Sequence, residues 1–191
     1  MDIAVLALQG AFLEHEQMIH RLGADTFEIR KLEDWEKPKD GLVIPGGEST
    51  VQARLLRELG LLQPVREAVI NGLPVWGTCA GLILLADQVE NGDPSAGLAT
   101  MSIDVCRNAY GRHSGSFFAR GPVEGIGEDI PMTFIRAPYI KKVNGNARAL
   151  AECGGHITAA RQGNQFVTSF HPELNDDLRV HEYFLRMVRA R

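Results

Sequence analysis

A cysteine between two glycines, in the segment Gly77-Thr78-Cys79-Ala80-Gly81, is the residue best suited to nucleophilic chemistry. The segment follows the apolar residues Val75 and Trp76 and precedes an apolar stretch of helical spacing. A Gly-x-nucleophile-x-Gly pattern at a strand-to-helix turn lifts one side chain above the sheet. The following helix would stabilise a thiolate, and the N–H of Ala80 would donate to an oxyanion. The alternative is a buried structural cysteine at a tight turn, which is common.

A histidine and a glutamate follow an apolar run near the C-terminus, in the segment Phe170-His171-Pro172-Glu173. A nucleophilic thiol needs a base, and the base needs a partner that orients it. If the proline keeps the segment extended, His171 and Glu173 face one pocket. Taken alone, His171 is more typical of a surface or core histidine, but together with Cys79 it favours a Cys-His-Glu triad.

A glycine pair follows another apolar run, in the segment Pro45-Gly46-Gly47-Glu48-Ser49-Thr50. Its main-chain N–H groups could complete an oxyanion hole with the N–H of Ala80. The alternatives are a phosphate-binding turn and an ordinary loop in which Ser49 caps a helix. A P-loop is excluded because no Gly-Lys-Ser/Thr follows.

Composition and spacing exclude several classes of protein. With 20 Lys and Arg against 24 Asp and Glu in 191 residues, the net charge is −4, which argues against nucleic-acid binding. We see neither an apolar run long enough to cross a membrane nor a signal-peptide pattern. The three cysteines form no C-x-x-C pair, and His15 and His20 are one residue too far apart for H-E-x-x-H. We therefore expect a cytoplasmic protein with no membrane segment, no disulfide framework and no metal.

The first half of the chain alternates apolar runs with segments of helical spacing, as in doubly wound α/β folds. We predict a three-layer α/β fold, a mostly parallel central sheet flanked by helices, and one domain over residues 1–191. The predicted strands are 3–8, 27–29, 41–45, 74–77, 101–105, 117–118, 132–135, 156–160 and 165–170, and the predicted helices are 12–22, 49–59, 64–70, 80–89 and 176–191. In the last helix we expect Val180, Phe184, Leu185 and Val188 to face inward.

Six segments spread along the chain match the pattern of a known family: Leu8-Gln9-Gly10, Pro45-Gly-Gly-Glu-Ser-Thr50, Gly77-Thr-Cys-Ala-Gly-Leu-Ile83, Arg107-Asn108, Phe134-Ile-Arg-Ala-Pro138 and Ser169-Phe-His-Pro-Glu173. With them the chain resembles the class I, triad-type glutamine amidotransferases over nearly its whole length. It is most similar to the glutaminase subunits of two-component pyridoxal 5′-phosphate synthases. Other class I glutaminases carry Leu-Gly and then Gln after the nucleophile, where this chain has Ala80-Gly81-Leu82-Ile83, which favours the vitamin B6 branch.

The resemblance implies a flavodoxin-like glutaminase domain that hydrolyses L-glutamine through a glutamyl thioester, without a cofactor. Cys79 would attack the side-chain amide, His171 would shuttle the proton, and Glu173 would hold the imidazole. The N–H groups of Gly47 and Ala80 would form the oxyanion hole. Free glutamine carries an ammonium and a carboxylate, so its recognition needs an acid and an arginine. The residues implied to bind it are Gly47, Glu48, Ser49, Arg107, Ile135 and Arg136.

The resemblance also implies a partner, a (β/α)8 synthase subunit that receives ammonia through a protected channel within a large hetero-oligomer. Such a synthase builds pyridoxal 5′-phosphate from ribose 5-phosphate and glyceraldehyde 3-phosphate. Family members are usually poorly active until they dock. Reorientation of the peptide at Gly46-Gly47 on docking would explain that coupling.

Two departures from the family pattern lie in one segment. The chain has Gly111-Arg112-His113 where the family has Gly-Arg-Gln, and Ser116-Phe117-Phe118 where it has Ser-Phe-Glu. Neither touches the proposed triad, but both could face the synthase. Three other functions remain open at this point: a glutaminase that serves a different acceptor, a thiol hydrolase, and a non-catalytic module that only activates its partner.

Overall fold

The computed structural model of the chain describes residues 1–90, 92–93, 96–107 and 115–191. Twelve strands are found in these residues: β1 Asp2–Leu6, β2 Asp25–Ile29, β3 Gly41–Ile44, β4 Val75–Thr78, β5 Ala86–Glu90, β6 Met101–Cys106, β7 Ser116–Val123, β8 Gly127–Ile135, β9 Tyr139–Val143, β10 Arg148–Cys153, β11 His156–Gln162 and β12 Gln165–Thr168. The helices are α1 Phe12–Arg21, α2 Leu32–Trp35, α3 Ser49–Glu58, α4 Leu62–Ile70, α5 Ala80–Leu85 and α6 Arg179–Arg189. A 3-10 turn, Pro172–Leu174, follows β12.

Ten of the strands form one sheet, which divides into a parallel and a largely antiparallel half. Strands β2, β1, β3, β4 and β12 lie side by side and run parallel. Beyond β12 the order continues through β11, β9, β6 and β5, with β10 on β11, and here only β5 and β6 pair in parallel. The remaining two strands, β7 and β8, form a separate hairpin.

Apolar side chains alternate between the two faces of the parallel strands, which produces three layers. On β1, Ala4 and Leu6 enter one core with Leu56 of α3 and Val65 of α4. Ile3, Val5 and others enter a second core on the opposite face, together with α1, α6 and the β7–β8 hairpin. A strand buried on both sides must be apolar throughout, which is why β1 and β3 are continuous apolar runs.

The predicted three-layer α/β fold is confirmed, and so are most of its elements. The predicted helix over 80–89 is wrong, because α5 ends at Leu85 and the chain continues as β5. Over residues 87–90, half-buried positions alternate with exposed ones, and the strand pairs with β6, so pairing outweighs helix propensity here. Strands β9 and β10 and the short helix α2 were not predicted. Among the described residues, no helix combines the length and apolarity needed to cross a membrane.

Candidate functional site

The loops that follow four adjacent parallel strands all lie at one edge of the sheet. Loops after β1, β3, β4 and β12 carry Gln9, Gly46, Cys79 and His171, respectively. The carboxyl ends of parallel strands are where ligands bind in open α/β sheets. Residues up to 162 positions apart in sequence thus converge because their strands are neighbours in the sheet.

Cys79 occupies a strained turn between β4 and α5. Its backbone has φ 47° and ψ −96°, and its N–H donates to the carbonyl of Thr168 at 2.8 Å. The flanking glycines are required by close approach: a Cβ at Gly81 would lie 2.2 Å from the Ile44 carbonyl oxygen, and one at Gly77 would lie 2.6 Å from the backbone of Gly81. The tight turn predicted from the glycine pattern is therefore present, with Cys79 8% exposed.

His171 and Glu173 lie beside this thiol, as the triad hypothesis requires. His171 Nδ1 is 2.7 Å from Glu173 Oε1, and the thiol of Cys79 lies close enough to the same imidazole to raise its pKa. The main-chain N–H of His171 donates to the carbonyl of Thr133 at 2.8 Å, so β8 holds the histidine backbone in place. All three side chains are buried.

Interactions among Cys79, His171 and Glu173 shift the pKa values of the imidazole and the carboxyl group. Burial alone would lower the pKa of His171, but its interactions with Cys79 and Glu173 outweigh burial and raise this pKa to about 10. Burial alone would raise the pKa of Glu173, but the imidazoles of His15 and His171 against it hold this pKa below its usual range. At neutral pH His171 is therefore an imidazolium beside a carboxylate.

The glycine loop after β3 packs tightly over the trio. The carbonyl of Gly46 accepts a hydrogen bond from the N–H of Ala11 at 3.1 Å. Gly10, at φ 106°, permits that approach, because a Cβ there would lie 1.8 Å from the Gly46 oxygen. A Cβ at Gly46 itself would lie 2.4 Å from His171 Cε1. The N–H of Gly47 points opposite to the Gly46 carbonyl, as in any trans peptide.

A cleft of about 750 Å³ opens beside Cys79 and His171. Its wall carries one exposed carboxylate, Glu48, and two guanidinium groups, Arg107 and Arg136. All six residues predicted to bind substrate line this cleft: Gly47, Glu48, Ser49, Arg107, Ile135 and Arg136. Ala80, the second predicted oxyanion donor, is buried next to Cys79. An amino acid with an ammonium and a carboxylate matches these charges.

Some residues of the site were missed from the sequence. Gln9, Ser116 and Leu174 also line the cleft, and the Gln9 side-chain oxygen accepts the N–H of Glu48 at 2.7 Å. Gln9 belongs to a segment singled out by the family pattern, so that signal was available. His15, which is buried behind Glu173, could not be placed at the site from the sequence, because its contact with Glu173 joins residues that are distant along the chain.

Not every sequence prediction can be placed. Asn108 and His113 lie outside the described residues, whereas Phe118 is 57% exposed on β7. Over the ranges that the structure describes, no group of three or more His, Cys, Asp or Glu is arranged to hold a metal ion.

Known proteins resemble this chain over its full length. The model of the SNO glutamine amidotransferase family matches residues 5–190. The pyridoxal 5′-phosphate synthase subunit PdxT of Methanocorpusculum labreanum is 57% identical over 188 residues, 98% of each chain. The PdxT subunit of Streptococcus pneumoniae is 48% identical over 194 aligned positions, 100% of each chain. A crystal structure of a glutamine amidotransferase superposes with a TM-score of 0.92 at 40% identity, covering 98% of each chain. By the family match over nearly its whole length and by its full-length relatives, this chain belongs to the SNO glutamine amidotransferase family.

Proposed function

We propose that this protein hydrolyses L-glutamine to L-glutamate and ammonia with Cys79, His171 and Glu173 as its triad, and that the ammonia supplies a pyridoxal 5′-phosphate synthase. The observation that carries the proposal is the placement of the Cys79 thiol beside the His171 imidazole, which is hydrogen-bonded to the Glu173 carboxylate, at the mouth of a charged cleft. Family membership supplies the reaction class, and the sequence relatives named as synthase subunits supply the acceptor.

The reaction proceeds in two halves. Nε2 of His171 carries the proton given up by the Cys79 thiol, so the sulfur attacks the side-chain amide carbon as a thiolate. The carbonyl oxygen becomes an oxyanion that accepts hydrogen bonds from the N–H groups of Ala80 and Gly47. His171 gives its Nε2 proton to the amide nitrogen, the C–N bond breaks, and ammonia leaves a glutamyl thioester. Water then attacks the thioester, His171 takes a proton from that water, and the C–S bond breaks to release glutamate. One oxyanion donor is typically worth about 3 kcal/mol of barrier lowering.

The charged wall of the cleft orients the substrate. Glu48 pairs with the α-ammonium of glutamine, and Arg107 or Arg136 pairs with its α-carboxylate. Ser49 and Ile135 complete the wall around the side chain. This arrangement leaves the δ-amide as the only part of glutamine that faces Cys79.

The partner is a (β/α)8-barrel synthase subunit, and the two subunits form a large hetero-oligomer. Within it, ammonia reaches the synthase subunit without release to solvent. The whole chain, residues 1–191, acts as one glutaminase domain, in the cytoplasm, where its three free thiols stay reduced.

Docking of that partner reorients the peptide between Gly46 and Gly47 so that the Gly47 N–H faces the oxyanion. Such a change must break the hydrogen bond from Ala11 to the Gly46 carbonyl, 3.1 Å long here. A Cβ at Gly47 would lie 2.3 Å from the Gln9 side-chain oxygen and would obstruct the movement. Full activation of Gly47→Ala by the partner would show this part of the proposal to be wrong.

The central test is glutamine hydrolysis by the chain co-purified with a barrel-type synthase subunit. We expect the parent and Cys153→Ala to release ammonia at equal rates, because Cys153 lies at the end of β10, outside the cleft. Cys79→Ala should release none above background. Equal release by Cys79→Ala and the parent would contradict the triad, and absence of pyridoxal 5′-phosphate formation despite ammonia release would contradict the acceptor.

A further inference from the structure

A second imidazole lies behind the triad, fully buried. His15 of α1 is 0% exposed, and its Nε2 is 3.5 Å from Oε2 of Glu173, the carboxylate oxygen that His171 does not use. The same Nε2 is 3.2 Å from the hydroxyl of Thr78, the residue before the nucleophile. Nδ1 of His15 is 3.0 Å from Nε2 of His181 in α6.

The partners of these rings define where their protons are. Nδ1 of His181 is buried without a hydrogen-bond partner, and so is Oε2 of Glu173. A proton on His181 Nδ1 would leave a buried N–H unsatisfied, which costs more than an unused lone pair. His181 therefore carries its proton on Nε2 and donates it to Nδ1 of His15. The proton of His15 is then on Nε2, where it faces both Thr78 and Glu173.

Burial favours the neutral form of both imidazoles. Burial lowers the pKa of His15, and the attraction of Glu173 offsets this only partly. Burial, together with His15, lowers the pKa of His181 well below its ordinary value. The other titratable groups that act on His15 are His171 and Glu14. The single negative charge of Glu173 is thus met by an imidazolium on one side and a neutral N–H donor on the other.

Packing holds both rings in one orientation. The ring of His15 meets the edge of Trp76 at a centroid distance of 5.0 Å and an interplanar angle of 85°. The ring of His181 does the same at 4.7 Å and 78°. Because Trp76 also donates its Nε1–H to Thr168 at 3.3 Å, it is fixed between β4 and β12. A ring that cannot rotate can orient the carboxylate that it touches.

We propose that His15 is a positioning residue of the hydrolysis reaction, which donates its Nε2 proton to the outer oxygen of Glu173, and that His181 fixes the tautomer that makes this possible. The inference rests on the proposed function, because it assigns Glu173 the task of orienting His171. It connects the first and last helices of the chain to the reacting atoms. The 3.5 Å separation is expected to shorten once substrate is bound, as such bonds often do.

The test compares His15→Leu, which removes the donor, with His15→Gln, whose amide N–H reaches the same place. Each is assayed in complex with the synthase subunit. We expect His15→Leu to lower kcat about 10- to 100-fold with little change in KM, the range typical when an orienting partner is removed. His15→Gln should restore most of that loss. His20→Gln on the exposed part of the same helix is the matched control and should behave like the parent.

A pH profile separates positioning from packing. The basic limb of kcat reports loss of the His171 proton, so in His15→Leu it should move to lower pH, because Glu173 supports the imidazolium less well. A merely structural residue would lower the melting temperature and leave the kcat of the folded fraction and the basic limb unchanged, which would overturn the inference. An inactive parent complex would instead refute the proposed function.

Side-chain nitrogen NMR of the parent gives a test that does not depend on an activity measurement. Resonances assigned by their loss in His15→Gln and His181→Gln should show two neutral imidazoles protonated on Nε2 at pH 7. A proton on Nδ1 of His15, or a doubly protonated His15, would contradict the proposal.

Discussion

Replacement of Gly46 by alanine tests whether the glycine loop holds the triad imidazole in place. The added methyl group would lie 2.4 Å from His171 Cε1, 3.1 Å from its Nδ1 and 3.4 Å from Cys79 Cβ. Carbon atoms in contact lie about 3.5 Å apart or more, so the ring must move by roughly 1 Å. His171 is buried and bonded to Glu173 at 2.7 Å, so it has no free space in which to move without loss of that bond.

The size of the effect follows from that displacement. Misplacement of a catalytic group by 1 Å costs on the order of 100-fold in rate, or about 2.7 kcal/mol of barrier. We expect kcat of the synthase complex to fall by about this factor in Gly46→Ala. KM should change little, because Glu48 and the arginines of the cleft keep their places.

The assay is glutamate production at saturating glutamine, together with thermal unfolding to measure the folded fraction. Gly121→Ala in β7 is the matched control, since its added Cβ would find its nearest neighbour, Met132 Cε, only at 3.9 Å. The control should retain parental activity and melting temperature. A fully active Gly46→Ala would refute the reasoning, because it would mean that the ring can move without consequence or that His171 is not the base.

Three further predictions concern the loop, the charges and the substrate. Gly10→Ala should lower the melting temperature by several degrees. A φ of 106° costs a non-glycine residue about 1–3 kcal/mol, each kcal/mol lowers the melting temperature by ~2–4 °C, and the added Cβ would lie 1.8 Å from the Gly46 oxygen. The pKa of His171 is raised from 6.5 to about 10, so its contribution to the free energy of unfolding is complete below pH 6.5 and is lost as pH rises to about 10. Denaturant titrations across that pH range should therefore show that the free energy of unfolding declines as pH rises, and that it declines less steeply in Cys79→Ala. An equal slope in both proteins would contradict a contribution of the Cys79 thiol to the raised pKa of His171. Arg107→Gln should raise KM for glutamine about 10- to 100-fold with little change in kcat, since a charge-assisted hydrogen bond contributes about 1.5–3 kcal/mol; an unchanged KM in initial-rate kinetics would remove Arg107 from the substrate site.

Local patterns were enough to predict most elements and the tight turn at Cys79. The runs at β1 and β3 are apolar because both faces are covered, and the glycines around Cys79 are required by contacts that any strand-to-helix turn of this kind makes. The one clear error, the helix extended to residue 89, arose where helical and strand patterns overlap over five residues. There the partner strand β6, which begins only at Met101, decided the outcome.

The sequence by itself determined which residues could react: a thiol in a glycine-flanked turn, a histidine and a glutamate two positions apart, and an acid and arginines suited to an amino-acid substrate. Only the tertiary structure decided that these groups meet, because the order of β1, β3, β4 and β12 in the sheet brings four distant loops to one edge. The same is true of His15 and His181, which are 166 positions apart and in contact. No local pattern encodes such a pair, since its energy comes from burial and from partners that exist only once the helices pack.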